Sequence, residues 1–353
     1  MVAQSTIRIG SRTVGAGHPC FIVAEVGINH NGDMDLAEKA VELAAKSGAD
    51  AVKFQNYRTE DFIIDKSLTL KYATHRAELV ESQWELFKRC ELSRDKLKIL
   101  GDACRRNGVA FISTPTSPEG IDDLKYAGAV AVKNGSDFLT NLPLIRHMAR
   151  SGLPTIISTG MATLAEIDDA VRAFWKAGGT QLAVLHCVSN YPAAPGALHL
   201  RKITALQSVL HLPIGFSDHS KGETAAVAAV ALGASLLEKH FTPDKQLPGP
   251  DHSFSSDAQE FAAYVRAVRD AELALAEAPV GFSPAEFEAR RQWRLSCVAA
   301  RDLSESHRLS KDDIIFGRPG FGIRPTDADF LIGRSLIHAV PKGHVFNIDD
   351  FKS

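Results

Sequence analysis

Two histidines, two lysines and two glutamates draw attention in this chain because each stands in or beside a short apolar run. Glu25 closes FIVAE, Lys53 and Gln55 lie in AVKFQ, and Lys133 closes AVAVK. Glu238 and His240 belong to SLLEKH, and His219 follows PIGFSD. Ionised groups in such settings are costly unless they are paired or bound to a ligand. Lys53 and Lys133, with the hydroxyls of Ser136 and Ser217 and the amide of Asn190, form a set that could converge on a phosphate or carboxylate. His219 and His240 end two successive runs. Two imidazoles completed by water and substrate oxygens suit a loosely held Mn2+ or Mg2+ better than a closed structural zinc site. His252 is expected near the chemistry, and most other histidines on the surface or in loops.

These residues need a frame that brings distant strand ends together. Eight short β-branched or apolar runs, at 21–27, 51–55, 109–113, 129–133, 155–159, 182–187, 213–217 and 235–240, alternate with helical patterns that begin at 34–46 and finish at 258–275. Eight strand–helix pairs predict an α/β fold of the (β/α)8 TIM-barrel type rather than an open doubly wound sheet. The phrases SGAD, NGV, AGAV, SGLP and LGAS put glycine where a helix must turn into the next strand. In such a barrel the strand C-termini share one face, so polar residues at those ends form a single site. Residues 5–18 predict a hairpin that plugs the opposite end. The stretch Asp61–Gln83 predicts an elaborated loop after the second strand, a usual place for substrate choice. The barrel domain is expected over residues 1–276, a linker with a short helix over 277–290, and a small second domain over 291–353.

A net charge of −2 on 353 residues offers no global field for nucleic acid or an anionic membrane, so an anionic substrate must be met by local cations. Five scattered cysteines without CxxC spacing argue against a disulfide framework or a zinc ribbon. With no apolar signal core at the N-terminus, a cytoplasmic protein is expected.

The ordered phrases AEVGINHNG (24–32), GADAVKFQ (48–55), FISTPTS (111–117), ISTGMAT (157–163), LHCVSNYP (185–192), IGFSDHS (214–220), ALGASLLEKHFT (231–242) and PGPDHSFS (248–255) run along nearly the whole chain. With them the sequence resembles the sialic acid synthase family, the N-acetylneuraminate synthases and their relatives that make legionaminic and pseudaminic acids. Residues 291–353, with FGRPGFGI, resemble that family's antifreeze-like (SAF) domain.

The resemblance implies a metal-dependent condensation of phosphoenolpyruvate with an N-acylated hexosamine, C–O cleavage and release of phosphate. It implies that Lys53, Lys133, Ser136, Asn190 and Ser217 hold phosphoenolpyruvate, with Thr114 close by. His219 and His240 would hold the Mn2+ or Mg2+ that polarises the aldehyde. Gln55, Tyr191, Glu238 and Asp251 would hold sugar hydroxyls. Glu25 is the expected acid–base group, since nearby lysines and metal can tune a carboxylate there. Arg318 of FGRPG would reach a partner subunit's site in a domain-swapped homodimer.

Where the family often reads KIGSGE, this chain reads KNGSDF, which alters the surroundings of Lys133 and Ser136. N-acetylmannosamine and a 2,4-diacetamido-2,4,6-trideoxyhexose are both open as acceptors. Two rival readings stand beside this one: a Schiff-base aldolase using Lys53 or Lys133, and a sugar- or ice-binding protein without catalysis.

Overall fold

The computed structural model describes residues 6–73 and 78–352. An antiparallel hairpin, β1 (Thr6–Ile9) and β2 (Arg12–Gly15), comes first. Then follow β3 (Phe21–Gly27), β4 (Ala51–Asn56), an inserted hairpin β5 (Thr69–Ala73) and β6 (Glu78–Ser82), and β7 (Ala110–Pro115). The series continues with β8 (Ala131–Asn134), β9 (Thr155–Ser158), β10 (Leu182–Cys187), β11 (Ile214–Asp218) and β12 (Leu236–His240). Strands β3, β4 and β7 to β12 close into a parallel barrel in chain order, with β12 pairing back on β3. The eight runs read from the sequence are these eight strands.

Strand alternation sorts the side chains. In β4, Ala51, Lys53 and Gln55 share the inner face, while Val52 and Phe54 pack outward against the helices. The inner faces of β3, β8 and β12 follow the same rule, each passing from Phe21 and Val23 to Glu25, from Ala131 to Lys133, and from Leu236 to Glu238 and His240. Apolar side chains therefore fill the lower barrel, where Ile7, Ile9 and Val14 of the β1–β2 hairpin join them as a plug. The charged residues are confined to the C-terminal mouth.

The helices form where apolar spacing and caps agree. In Leu164–Lys176, Ile167, Ala170, Val171 and Phe174 are buried at helical spacing, and Thr163 with Glu166 forms a capping box. Removing such a cap costs about 1 kcal/mol. After the helix Pro118–Ala127, Gly128 takes the left-handed conformation at φ 84°, and the chain turns toward β8. No helix among the described residues is long and apolar enough to cross a membrane. All five cysteines are buried and free.

The interval after β4 holds a short helix Thr59–Phe62, the β5–β6 hairpin and a helix Gln83–Arg89. The loop expected over Asp61–Gln83 is thus partly ordered secondary structure, and its residues 74–77 lie outside the described residues.

A second compact unit begins at Glu277. It contains the helix Phe287–Trp293 and an antiparallel pair, β13 (Ser296–Ala299) and β14 (Ile314–Gly317), around a core that includes Cys297, Leu309, Leu336 and Phe346. Its turns hang on two buried aspartates in a repeated pattern. Asp313 accepts from Ser310 N and Ser310 Oγ and pairs with His307, and Asp350 accepts from Asn347 N and pairs with His344. In this unit Arg318 is exposed, precedes a cis Pro319 and donates from Nε to the Trp293 carbonyl at 3.1 Å.

Candidate active site

Four charged side chains alternate across the barrel mouth. Lys53 Nζ lies 2.7 Å from Glu25 Oε2 and 3.8 Å from Glu238 Oε2, and donates to Thr114 Oγ1 at 3.0 Å. Lys133 Nζ donates to Glu238 Oε1 at 2.8 Å, and Ser217 Oγ donates to the same oxygen at 3.0 Å. All four charged groups are buried. Each ion is stabilised by the next, because a lone charge here would lose its hydration without return.

Unequal surroundings push the two carboxyls apart. Burial, with Glu238 nearby, raises Glu25 above the ordinary carboxylate range in spite of Lys53. Burial acts on Glu238 in the same sense, but Lys133 and Lys53 together overcome it and hold Glu238 low. Burial alone would favour a neutral Lys133 amine, yet Glu238 outweighs it and keeps the ammonium above the usual lysine range. One carboxyl is thereby poised to exchange a proton while the other stays ionised.

His219 and His240 stand beside this chain of charges with ring centroids 5.4 Å apart. His219 Nδ1 faces the Val188 carbonyl at 2.8 Å, which assigns the proton to Nδ1 and leaves Nε2 with the lone pair in the neutral ring. Burial, reinforced by His219, holds His240 well below the ordinary histidine range, so it is a neutral imidazole. Its Nδ1 is buried without a hydrogen-bond partner, 3.8 Å from Asp251 Oδ2. The orphaned neutral nitrogen of His240 fits one ligand position of a divalent cation. Tyr191 packs on His219 at 4.2 Å and Phe254 on His240 at 5.1 Å, which fixes both rings from the solvent side.

A cavity of about 440 Å³ gathers the predicted residues, all but Asn190 and Arg318. One correction follows. Asn190 is exposed and lines a neighbouring cavity of about 560 Å³ instead of the predicted anion site. The reason is a tight turn in which Asn190 N bonds the Val188 carbonyl at 2.9 Å, so that the side chain presented to the main cavity is Ser189. Glu238, expected to hold sugar hydroxyls, lines the cavity, where its oxygens meet Lys133, Ser217 and Lys53. His30, expected on the surface or in a loop, sits in the turn that follows β3 and is buried there.

The cavity also uses residues that the sequence reasoning did not select. Ser158 and Ser189 bring buried hydroxyls without partners into it. A side chain on Gly160 would collide with Ser189 Oγ and come within 2.8 Å of Ser136 Oγ, so three short residues pack together at this edge. Ser136 Oγ already accepts from Gly160 N at 2.9 Å. Ser158 was findable, since it continues the inner face of β9 after Ile156. Nothing in the sequence pattern singled out Ser189 over Asn190.

Charged side chains gathered at the C-terminal mouth of a closed parallel barrel put this protein in the class of (β/α)8 enzymes. Comparison narrows the class. The NeuB family model matches residues 40–279. The chain is 38% identical over 331 residues to the N,N'-diacetyllegionaminic acid synthase of Legionella pneumophila, covering 93% of each chain. The N-acetylneuraminic acid synthetase of Leptospira borgpetersenii, solved with citrate, superposes with a TM-score of 0.72 at 33% identity over 81% of this chain and 95% of that one. The Bacillus subtilis spore coat polysaccharide biosynthesis protein superposes with a TM-score of 0.67 at 32% identity over 99% of both. The chain belongs to the NeuB family of sialic acid synthases.

Proposed function

We propose that the protein condenses phosphoenolpyruvate with the open-chain aldehyde of an N-acylated hexosamine, either N-acetylmannosamine or a 2,4-diacetamido-2,4,6-trideoxyhexose, to give a nonulosonic acid and inorganic phosphate. The observation that carries this reading is the buried Glu25–Lys53–Glu238–Lys133 chain, which shares one cavity with unpartnered serine hydroxyls and the His219–His240 pair. C3 of the enol attacks the aldehyde carbon, and the aldehyde oxygen takes up a proton. Water adds at C2, and phosphate then leaves with its bridging oxygen, so that C2 becomes a ketone.

In this reading Lys53, Lys133, Thr114, Ser136 and Ser217 hold the carboxylate and phosphate of the enol, joined by Ser158 and Ser189. Glu25 passes the proton to or from the aldehyde oxygen or the attacking water. Gln55, Tyr191 and Asp251 orient the sugar. His219 and His240 would hold Mn2+ or Mg2+, which when bound supplies Lewis-acid polarisation of the carbonyl. Arg318, offered by a second copy of the chain through an antifreeze-like domain, would complete the acyl end of the site.

The ion pairs weigh against a Schiff-base aldolase, because an ammonium held on a carboxylate is no nucleophile. In the test, phosphate release from phosphoenolpyruvate is followed with Mn2+ and an N-acyl hexosamine, with mass detection of the product. Sugar-dependent release with a nine-carbon acid, abolished by chelation, is the expected result. A lysine adduct trapped by borohydride would favour the aldolase, and sugar binding without turnover would favour the non-enzymatic reading.

A buried ion pair lies next to the two histidines in the chain. Asp218 and Lys239 precede His219 and His240, are register partners on β11 and β12, and form a buried ion pair at 3.1 Å on the outer face. Lys239→Met strands the buried Asp218 carboxylate beside His219, and is expected to weaken Mn2+ binding by disturbing the ends of β11 and β12. Calorimetric titration of the metal checks this, and an unchanged affinity with a lowered melting point would assign the pair to stability alone.

A further inference from the structure

The second unit carries the same turn twice. HRLSKDD (307–313) and HVFNIDD (344–350) each place a histidine six residues before a buried aspartate, with Leu309 and Phe346 at the matching core positions. The backbone repeats as well. Ala300 N donates to the Asp313 carbonyl and Ile337 N to the Asp350 carbonyl, while Leu303 and Val340 exchange hydrogen bonds with each other. Ser306 and Gly343, each just ahead of the histidine, both take positive φ, at 65° and 88°. The two copies can therefore be compared side chain for side chain.

One position differs in its chemistry. Arg301, twelve residues before Asp313, donates from Nη2 to Asp313 Oδ1 at 2.6 Å, and His307 Nε2 lies 2.9 Å from Oδ2. In the second copy the residue twelve before Asp350 is His338. Its Nε2 lies 3.2 Å from Asp350 Oδ1, and His344 Nε2 lies 2.9 Å from Oδ2. A guanidinium is always charged and has no lone pair to offer a metal, so the first copy is closed as a salt bridge. An imidazole in that place brings a lone pair, and the second copy becomes a set of donors.

Two imidazoles and a carboxylate then face one point, with one donor atom from each within 4.8 Å of the other two. Nitrogen and oxygen ligands at about 2.0–2.1 Å from a tetrahedral Zn2+ stand roughly 3.3 Å from each other, and the two nitrogen–oxygen separations are close to that edge. Asp350 is held in place, since Oδ2 also accepts from Asn347 N at 2.7 Å. The His338 side chain is 49% exposed, so it is free to turn onto an ion and leaves water access to a fourth position.

We infer that His338, His344 and Asp350 form a Zn2+ site completed by water. The ion ties the last turn, Ile348–Asp350, to the segment that carries the two histidines. The core of this unit is small, and small units gain most from a metal clamp. All three ligands belong to the second unit, so the inference does not depend on the condensation proposed for the barrel.

In the experiment Zn2+ is titrated by calorimetry into the full-length protein stripped of metal with a chelator, and bound zinc is counted after desalting. His338→Arg is the test variant, because it rebuilds in the second copy the arginine–aspartate pair that the first copy already uses. The variant is expected to fold as the unaltered protein does by circular dichroism and to hold about one Zn2+ per chain fewer. It should also lose the rise in melting temperature that Zn2+ gives the unaltered protein, since an ion that binds the native state stabilises it. Equal zinc in the two proteins overturns the inference, and so does zinc that is lost in His219→Ala alone, which would place all of it at the barrel mouth. If His338→Arg misfolds, His338→Gln, whose amide still donates to Asp350, decides by the same count.

Discussion

Glu25→Gln is expected to lower kcat for the condensation by about 10²–10⁴-fold, the range that a positioned acid–base group supplies, with KM for phosphoenolpyruvate within roughly threefold of its original value. The substitution keeps size and shape, and the amide can still meet Gln55, which donates to Glu25 Oε1 at 3.2 Å. It removes the proton that Glu25 can exchange. Because burial raises this carboxyl, the rate profile of the unaltered protein should show a limb nearer neutrality than an ordinary glutamate gives, and Glu25→Gln should lack it. Stability supplies a second readout with a definite sign. Between the unfolded and the raised folded pKa the native state binds the proton more tightly, so Glu25 makes stability fall as pH rises through that interval. Thermal melts across this pH range should show the fall flattened in Glu25→Gln. A full-rate variant with an unchanged profile would remove Glu25 from the chemistry.

Much of this site was legible because a barrel strand writes its inner face at every second residue. Ala51, Lys53 and Gln55, or Leu236, Glu238 and His240, show the passage from packed floor to reactive mouth directly in the sequence. The eightfold alternation with helices then identifies which ends share a face. Periodicity does not carry loop geometry. The turn at Val188–Asn190 decides between Ser189 and Asn190 through one backbone hydrogen bond, and neighbouring polar residues look equivalent before that bond is seen. Partner choice was equally hidden. Glu238 reads as a free carboxylate until β8 and β12 face each other across the barrel and Lys133 claims it. The ring cluster of Tyr57, Phe62 and Phe87 that lines the cavity is scattered over an irregular insertion whose hairpin strands are largely exposed, so no alternating pattern announces it.

The same pairing makes Lys133→Met the most informative change at the floor. Under the proposed function Lys133 has two separable duties, and both are large. As a charged donor to phosphoenolpyruvate it should contribute about 1.5–3 kcal/mol, so the variant is expected to bind that substrate roughly 10–150-fold more weakly. As the partner of Glu238 at 2.8 Å it balances a buried carboxylate, and breaking such a pair costs about 3–5 kcal/mol. The first unfolding transition should therefore fall by roughly 10 °C. Glu238 keeps Lys53 at 3.8 Å and Ser217 at 3.0 Å, but neither replaces the lost ammonium, and the carboxyl should rise toward protonation. The double change Lys133→Met with Glu238→Gln separates the duties, since it removes the stranded charge and leaves the anion site without its lysine. Melting should recover most of the loss while phosphoenolpyruvate binding stays weak. If binding recovered along with stability, Lys133 would be a structural counter-ion, and the anion site would have to be built on Lys53 and the serines alone.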